Sequence, residues 1–326
     1  MGQSAGGGSL EFQITAYGGK EGRVPFSQAI VISPGFNIDS SSSSIADVEL
    51  AYLKLLGVSS LDEARKLPSD ILIRANECQE WNSSYGGGNY GPVVDGSFAP
   101  ALPGQLLLKG ELDSFLKVFV GHNLNEGVIF TPPFITTNEV YNVFLQASLP
   151  DAPPDVINHI NGTLYPPIFN DTYGYNSELQ RASVTTGEAP FTCNTNYLAR
   201  AFPGRSYACK CSCARLKVAH THSSDEFAVP LAIHGQSNDF IFMNGETSGV
   251  NATIARAMQQ YITSFITRGV PTAKNAPTNP LYDANSSLVY LSGTGISIAR
   301  DDTANARCRW WQQELFTPSS GTIGRA

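Results

Sequence analysis

Charge is scarce in this chain of 326 residues: Asp, Glu, Lys and Arg make up only 15% of it. Basic residues are the scarcer kind, 21 Lys and Arg against 28 acids, which leaves a net charge of -7. A nucleic-acid partner needs a basic footprint, and this composition excludes one. No apolar run approaches the roughly 20 residues that cross a bilayer, so no transmembrane segment is expected. No leader is expected from the start either, where Met1 runs straight into Gly2-Gln3-Ser4 with no basic and apolar stretch. What is present is a globular composition with 30 Gly and 20 Pro, which points to a loop-rich enzyme of one large domain or two ordinary ones.

Against the missing leader stand five Asn-x-Ser/Thr acceptors, at Asn82, Asn161, Asn170, Asn251 and Asn285. Some such tripeptides arise by chance and go unused. Five in polar or turn-like settings read as the glycosylation sites of a secreted protein, and the conflict resolves if the true N-terminus lies upstream of Met1.

Hydrophobic patterning alternates between strand and helix. Phe26 to Ile32 ends at Ser33-Pro34-Gly35 and reads as a buried strand, as does Phe115 to Val120 ending at Gly121. Arg205 to Ala208 begins a third strand, and Leu288 to Leu291 forms a last one. Between them, Ile45, Val48, Tyr52, Leu55 and Leu56 mark a helix face that Gly57 can end. Ser60-Leu61-Asp62-Glu63 is a capping box, and Ile254, Met258, Tyr261, Ile262, Phe265 and Ile266 form an amphipathic stripe closed by Gly269 and Pro271. This alternation defines an α/β fold with a mainly parallel sheet and helices on both faces.

Three short motifs carry chemistry. Gly2-Gln3-Ser4-Ala5-Gly6 fits G-x-S-x-G, a strand-to-helix turn that lifts a serine hydroxyl above a sheet and needs glycines where a Cβ would clash. Alone, the pattern is also met by a Gly-rich terminus. Here Gly121-His122-Asn123-Leu124-Asn125-Glu126-Gly127 follows a strand directly, where a parallel sheet collects functional groups. Ile233-His234-Gly235 comes later, so the order is serine, acid, histidine. Of the other histidines, His122 is expected to pack or cap, and His159 to be solvated beside an Asn-Gly turn.

With GQSAGG, GHNLNEG and AIHGQSNDF in this order and spacing, the chain resembles the type-B carboxylesterase/lipase family, which is cholinesterase-like, and within it the fungal-type esterase branch. AYGG, PVVDGSF and AMQQYITSF extend the likeness over essentially the whole chain. The resemblance implies an α/β-hydrolase in which Ser4 is the nucleophile, Glu126 the triad acid, His234 the base and the Ala5 N–H one oxyanion donor. It implies hydrolysis of small-molecule or lipid esters through an acyl-enzyme, with no metal or organic cofactor. It further implies a disulfide between Cys193 and Cys308, and leaves Cys78 without an obvious partner. A non-catalytic, cholinesterase-like interaction module is the rival reading, since the fold also serves adhesion.

Two departures from the family shape further expectations. A strand leading into the elbow and a His-Gly-Gly-Gly-type loop should precede Ser4, and no histidine does. Residues 1–326 thus read as the C-terminal portion of the domain, starting at the elbow with the first half of the sheet missing, and little or no esterase activity is expected of them. The second departure is Cys209-Lys210-Cys211-Ser212-Cys213 with His220 and His222. Zinc is a possible reading, but C-x-C-x-C lacks the usual ligand loop. Residues 209–225 read better as a non-native insertion, translated intron sequence that interrupts a strand running from Ser206-Tyr207-Ala208 into Phe227-Ala228-Val229-Pro230. Such an insertion should loop out of the core.

Overall fold

The computed structural model describes residues 1–36, 42–83, 85–213, 232–243 and 249–317. The first half contains β1 (Gly2–Gln3), α1 (Ala5–Ile14), β2 (Gln28–Ile32), α2 (Ser42–Leu56), α3 (Leu61–Ala64), α4 (Ser69–Trp81), α5 (Pro103–Lys109), β3 (Lys117–Asn123) and α6 (Asn138–Ser148). The second half adds α7 (Pro154–His159), α8 (Glu178–Gly187), α9 (Cys193–Ala201), β4 (Ser206–Ser212), α10 (Ser237–Ile241), α11 (Ala252–Arg268), β5 (Ser287–Ser292), β6 (Gly295–Arg300) and α12 (Ala306–Trp311). The strands form one sheet in chain order, β1 to β5 parallel and β6 antiparallel to β5.

Strand alternation builds two cores, one on each side of the sheet. Ala29, Val31, Val118, Val120, Ala208 and Leu288 face α1, α5, α9 and α12. Ile30, Ile32, Phe119, Tyr207, Val289 and Leu291 face α10 and α11. On α11 the expected stripe is buried except for Ile266, which is exposed, and Gly269 ends the helix at φ 71, a left-handed conformation that favours glycine. Burying one such side chain as large as Phe265 contributes about 2–3 kcal/mol. The capping box of α3 is shifted by one residue. Ser60 accepts from Glu63 N–H, while the Glu63 carboxylate reaches back to Ser59 N–H at 2.8 Å.

Four differences from the sequence reading stand out. β3 runs on through Gly121-His122-Asn123, so Glu126 lies just past its end. β6 pairs fully with β5 although its outer positions are exposed. The third is a correction within the described residues: Cys209 to Cys213, the start of the expected 209–225 excursion, do not loop out. Cys209 to Ser212 belong to β4, and Cys209, Cys211 and Cys213 are buried on its α11 face. Alternate residues of an extended strand share a face, so C-x-C-x-C supplies three small apolar side chains to this core. Cys211 and Cys213 are disulfide-bonded, and burial pushes the Cys209 thiol up to about 12. His220, His222 and the expected strand resumption at Phe227 lie outside the described residues. His159 also differs from expectation, being half-buried and stacked on Trp310 at 5.4 Å.

One buried acid pair makes stability pH-dependent. Glu11 on α1 is fully buried, with neither carboxylate oxygen hydrogen-bonded. Burial first, and the Glu314 carboxylate second, hold it well above the usual carboxylate range. Burial also lifts Glu314 from 4.5 to about 8. A carboxyl raised by folding takes up a proton as the chain folds, so stability falls as pH climbs from the unfolded value to the folded one. Urea midpoints are therefore expected to fall between pH 5 and pH 8. Glu314→Gln, which keeps an oxygen acceptor for Gln105 N–H, should raise stability at pH 8 by on the order of 3 kcal/mol. An unchanged slope in that variant would rule out Glu314 as its source.

Candidate active site

The elbow begins with the brevity of β1. Ser4 leaves the strand at φ 56, ψ -125 and α1 starts at Ala5. Such a backbone costs about 1–3 kcal/mol and persists only where surroundings impose it. Here Ser4 N–H donates to Ile32 O at 3.0 Å, and Ser4 O accepts from Gly8 and Gly35 N–H groups, each at 3.0 Å. A Cβ on Gly2 would lie 2.2 Å from Gly6 O, so Gly2 is required by the turn. Gly6 itself has open space, contrary to the expectation from the motif. The tight approaches fall instead on Gly7, against Pro34 at 2.8 Å, and Gly8, against Gly35 O at 2.4 Å.

Two loops deliver the other groups. Beyond β3, Asn125 N–H donates to Ala232 O at 2.9 Å, and Asn125 and Ile233 form a parallel bridge. This bridge sets Glu126 beside His234. Ser4 Oγ lies 2.8 Å from His234 Nε2, and His234 Nδ1 lies 2.5 Å from Glu126 Oε2. The three residues singled out in the sequence therefore converge at the C-terminal end of the parallel strands. Glu126 is 1% exposed, and its second oxygen is fully engaged. Oε1 accepts from Ser33 Oγ at 2.7 Å and from Asn123 N–H. With Oε1 filled by two donors, Oε2 is left to accept from His234, an arrangement that suits an imidazole proton on Nδ1 and a lone pair on Nε2. Ala5 is the first residue of α1, so its N–H is among the helix donors with no intrahelical acceptor.

Several contributors were not singled out in the sequence. Ser33 read only as a turn residue ending a strand; its position at the same sheet edge as the elbow was the available signal. Gln3 occupies the variable place of the motif, and its amide nitrogen lies 3.3 Å from His234 Nε2. Phe130 and Phe191 pack on the imidazole with ring centroids 5.0 and 4.5 Å away, and no sequence spacing pointed to them.

A cavity of about 530 Å³ opens over Ser4 and Ala5, and its walls include Phe36, Phe130, Leu149, Phe191 and Trp311. Its size and apolar walls suit one compact apolar group. A second cavity, of about 760 Å³, has Glu126 among its lining residues. There His122, Asp301 and Asp302 place ligand-type atoms within 4.8 Å of one another. Lys210 Nζ already meets Asp302 at 2.6 Å, and Asp301 accepts from Tyr282 OH at 2.8 Å, so the cluster reads as an ion-pair and hydrogen-bond network. His122 is buried there, its Nδ1 2.9 Å from Asn123 O.

The glycosylation acceptors are placed unevenly. Asn82, Asn170, Asn251 and Asn285 are exposed, although Asn251 caps α11 through its side-chain oxygen. Asn161 is half-buried; its amide donates to Asn142 Oδ1 at 2.5 Å and its oxygen accepts from Arg181. Its amide nitrogen is thus engaged, unlike a side chain turned to solvent.

A parallel sheet with a serine elbow, an acid beyond the next strand but one and a histidine loop is the arrangement of an α/β-hydrolase fold. Residues 1–311 match the carboxylesterase family, and the chain belongs to that family. It is 37% identical to carboxylesterase patB of Penicillium expansum over 319 residues, covering 97% of this chain and 54% of that protein. It is 34% identical to carboxylesterase patB of Aspergillus clavatus over the same share of each. The chain thus spans about half the length of these curated relatives. In fold it is similar to Aspergillus niger EstA, with a TM-score of 0.77 at 21% identity over 96% of this chain and 63% of that one. A pNB esterase gives a TM-score of 0.69 at 19% identity, covering 96% and 62%.

Proposed function

We propose that this chain hydrolyses carboxylic esters through an acyl-enzyme on Ser4. The observation that carries the reading is the continuous relay from Ser4 Oγ to His234 Nε2 at 2.8 Å and from His234 Nδ1 to Glu126 at 2.5 Å. In this reading the Nε2 lone pair takes the Ser4 proton as Oγ attacks the ester carbonyl carbon. The imidazolium that results is stabilised by Glu126, and the Ala5 N–H donates to the developing oxyanion. The proton then passes to the leaving alkoxide as the C–O bond breaks. Water, deprotonated by the same imidazole, releases the acid and restores Ser4. The apolar cavity favours a substrate with one compact apolar group, drawn from small-molecule or short lipid esters.

The reading is tested with a short-chain p-nitrophenyl ester and a fluorophosphonate. Release of nitrophenol and a single phosphonyl adduct, mapped by peptide mass to Ser4, are the expected results. An adduct elsewhere, or none with a folded chain, would favour the interaction-module reading. We also propose that the protein is secreted and glycosylated, supported by the four exposed acceptors. An unchanged mass after glycosidase treatment of protein from a secreting fungal host would count against that.

A further inference from the structure

We propose that Phe191 is a positioning residue for His234, held against the imidazole by a turn that α12 pins at both ends. This inference rests on the triad reading above and concerns how the base keeps its orientation. Hydrogen bonds to Glu126 and Ser4 fix two atoms of the imidazole, but they leave the ring free to rock about the line between them. Something must hold the plane while Nε2 waits for the Ser4 proton.

Phe191 has the geometry to do so. Its ring centroid lies 4.5 Å from that of His234 and 4.9 Å from that of Phe130, which itself lies 5.0 Å from His234. The imidazole is therefore packed by two aromatic rings that also brace each other. Behind Phe191 stands Gly35, where a Cβ would lie 2.2 Å from Phe191 Cε1. Only glycine leaves room for the ring at that place. Gly35 N–H donates to Ser4 O at 3.0 Å, so the residue backing Phe191 also fixes the elbow. Phe191 thus stands between the nucleophile's backbone and the base's ring.

The local backbone explains why the ring is there. Glu188–Thr192 forms a π-helical turn between α8 and α9. A π turn widens the helix by one residue and redirects a side chain, and such turns recur at functional sites. Both ends are tied to α12. Before the turn's centre, Glu188 accepts from Arg307 Nη2 and Nε at 2.6 and 2.7 Å, a two-point ion pair. Just after it, Cys193 is bonded to Cys308. Adjacent residues of α12 therefore hold the two sides of the turn that aims Phe191.

The test follows His234 directly and the Ser4 reaction separately. The pseudo-first-order rate of fluorophosphonate labelling is measured by intact mass in the wild-type chain and in Phe191→Leu, Phe191→Tyr, Arg307→Gln and Ser4→Ala. The His234 Nδ1–H proton is followed by NMR in the same samples. Phe191→Leu keeps apolar bulk but no ring, and should slow labelling about 30-fold while broadening or losing the Nδ1–H signal. Phe191→Tyr, which keeps the ring, should label within about 3-fold of wild type, a rescue that loss of cavity volume alone does not produce. Arg307→Gln removes an anchor without altering the wall over Ser4, and should lie between them. It carries the same test if Phe191→Leu does not fold. Wild-type labelling and an intact Nδ1–H signal in folded Phe191→Leu, or in Arg307→Gln, would overturn the proposal. Labelling that survives Ser4→Ala instead overturns the triad reading, and the Nδ1–H signal then decides on Phe191 alone.

Discussion

Glu126→Gln is expected to lower ester turnover about 10⁴-fold with little change in fold, as loss of the acid's charge does in serine triads. The size follows from which groups surround the carboxylate. Oε1 faces two donors, Ser33 Oγ–H and Asn123 N–H, so the glutamine must turn its oxygen to that side. Its NH₂ then faces His234 Nδ1, where Oε2 stood at 2.5 Å. A donor there demands a lone pair on Nδ1, which moves the imidazole proton to Nε2, against Ser4 Oγ. An Nε2 that already carries a proton cannot accept one from the serine. The variant should keep its melting temperature and its affinity for a non-reactive ester analogue, so that kcat carries nearly all of the loss. A kcat within tenfold of wild type would show that Glu126 does not set the tautomer.

Breaking the bond between Cys193 and Cys308 should destabilise the chain by about 4–5 kcal/mol, measured as a urea midpoint shift in Cys308→Ser. The two cysteines are 115 residues apart with Cα atoms 4.9 Å from each other. Closing a loop that long removes much entropy from the unfolded chain, and both side chains are buried where they meet. The loss should not be uniform. Cys308 belongs to α12, which also holds Arg307 against Glu188, so native-state hydrogen exchange should rise first around 188–193. Labelling of Ser4 should slow in parallel, because that turn carries Phe191. A midpoint shift below about 1 kcal/mol would mean that the ion pair and packing suffice without the bond.

Much of this site is legible in the chain itself, because some of its constraints are local. The elbow announces itself where a serine must sit in a strained turn, and Gly2 answers a clash only four residues away. Glu126 and His234 are readable since each follows an apolar strand or a turn at the sheet's C-terminal edge, and their order is specific. The face of α11 and its stop at Gly269 are equally local, the first a periodicity of side chains and the second a backbone conformation. Other features exist only through contacts between distant segments. β1 has two residues, too few to carry a pattern, and is a strand because β2 pairs with it. Gly7 and Gly8 need to be small only because Pro34 and Gly35 pass close by, whereas Gly6, a motif glycine, meets open space. Cys209, Cys211 and Cys213 read as an interruption until the pairing of β4 with β3 and β5 aligned them toward α11. Ser33 and Phe191 lie 93 and 43 residues from the triad members they touch; counted on the sequence, Ser33 and Glu126 are separated by 93 positions, Phe191 and His234 by 43. Sequence shows what a residue asks of its near neighbours, but hydrogen bonding to a carboxylate and packing on a ring depend on which segments the sheet brings together.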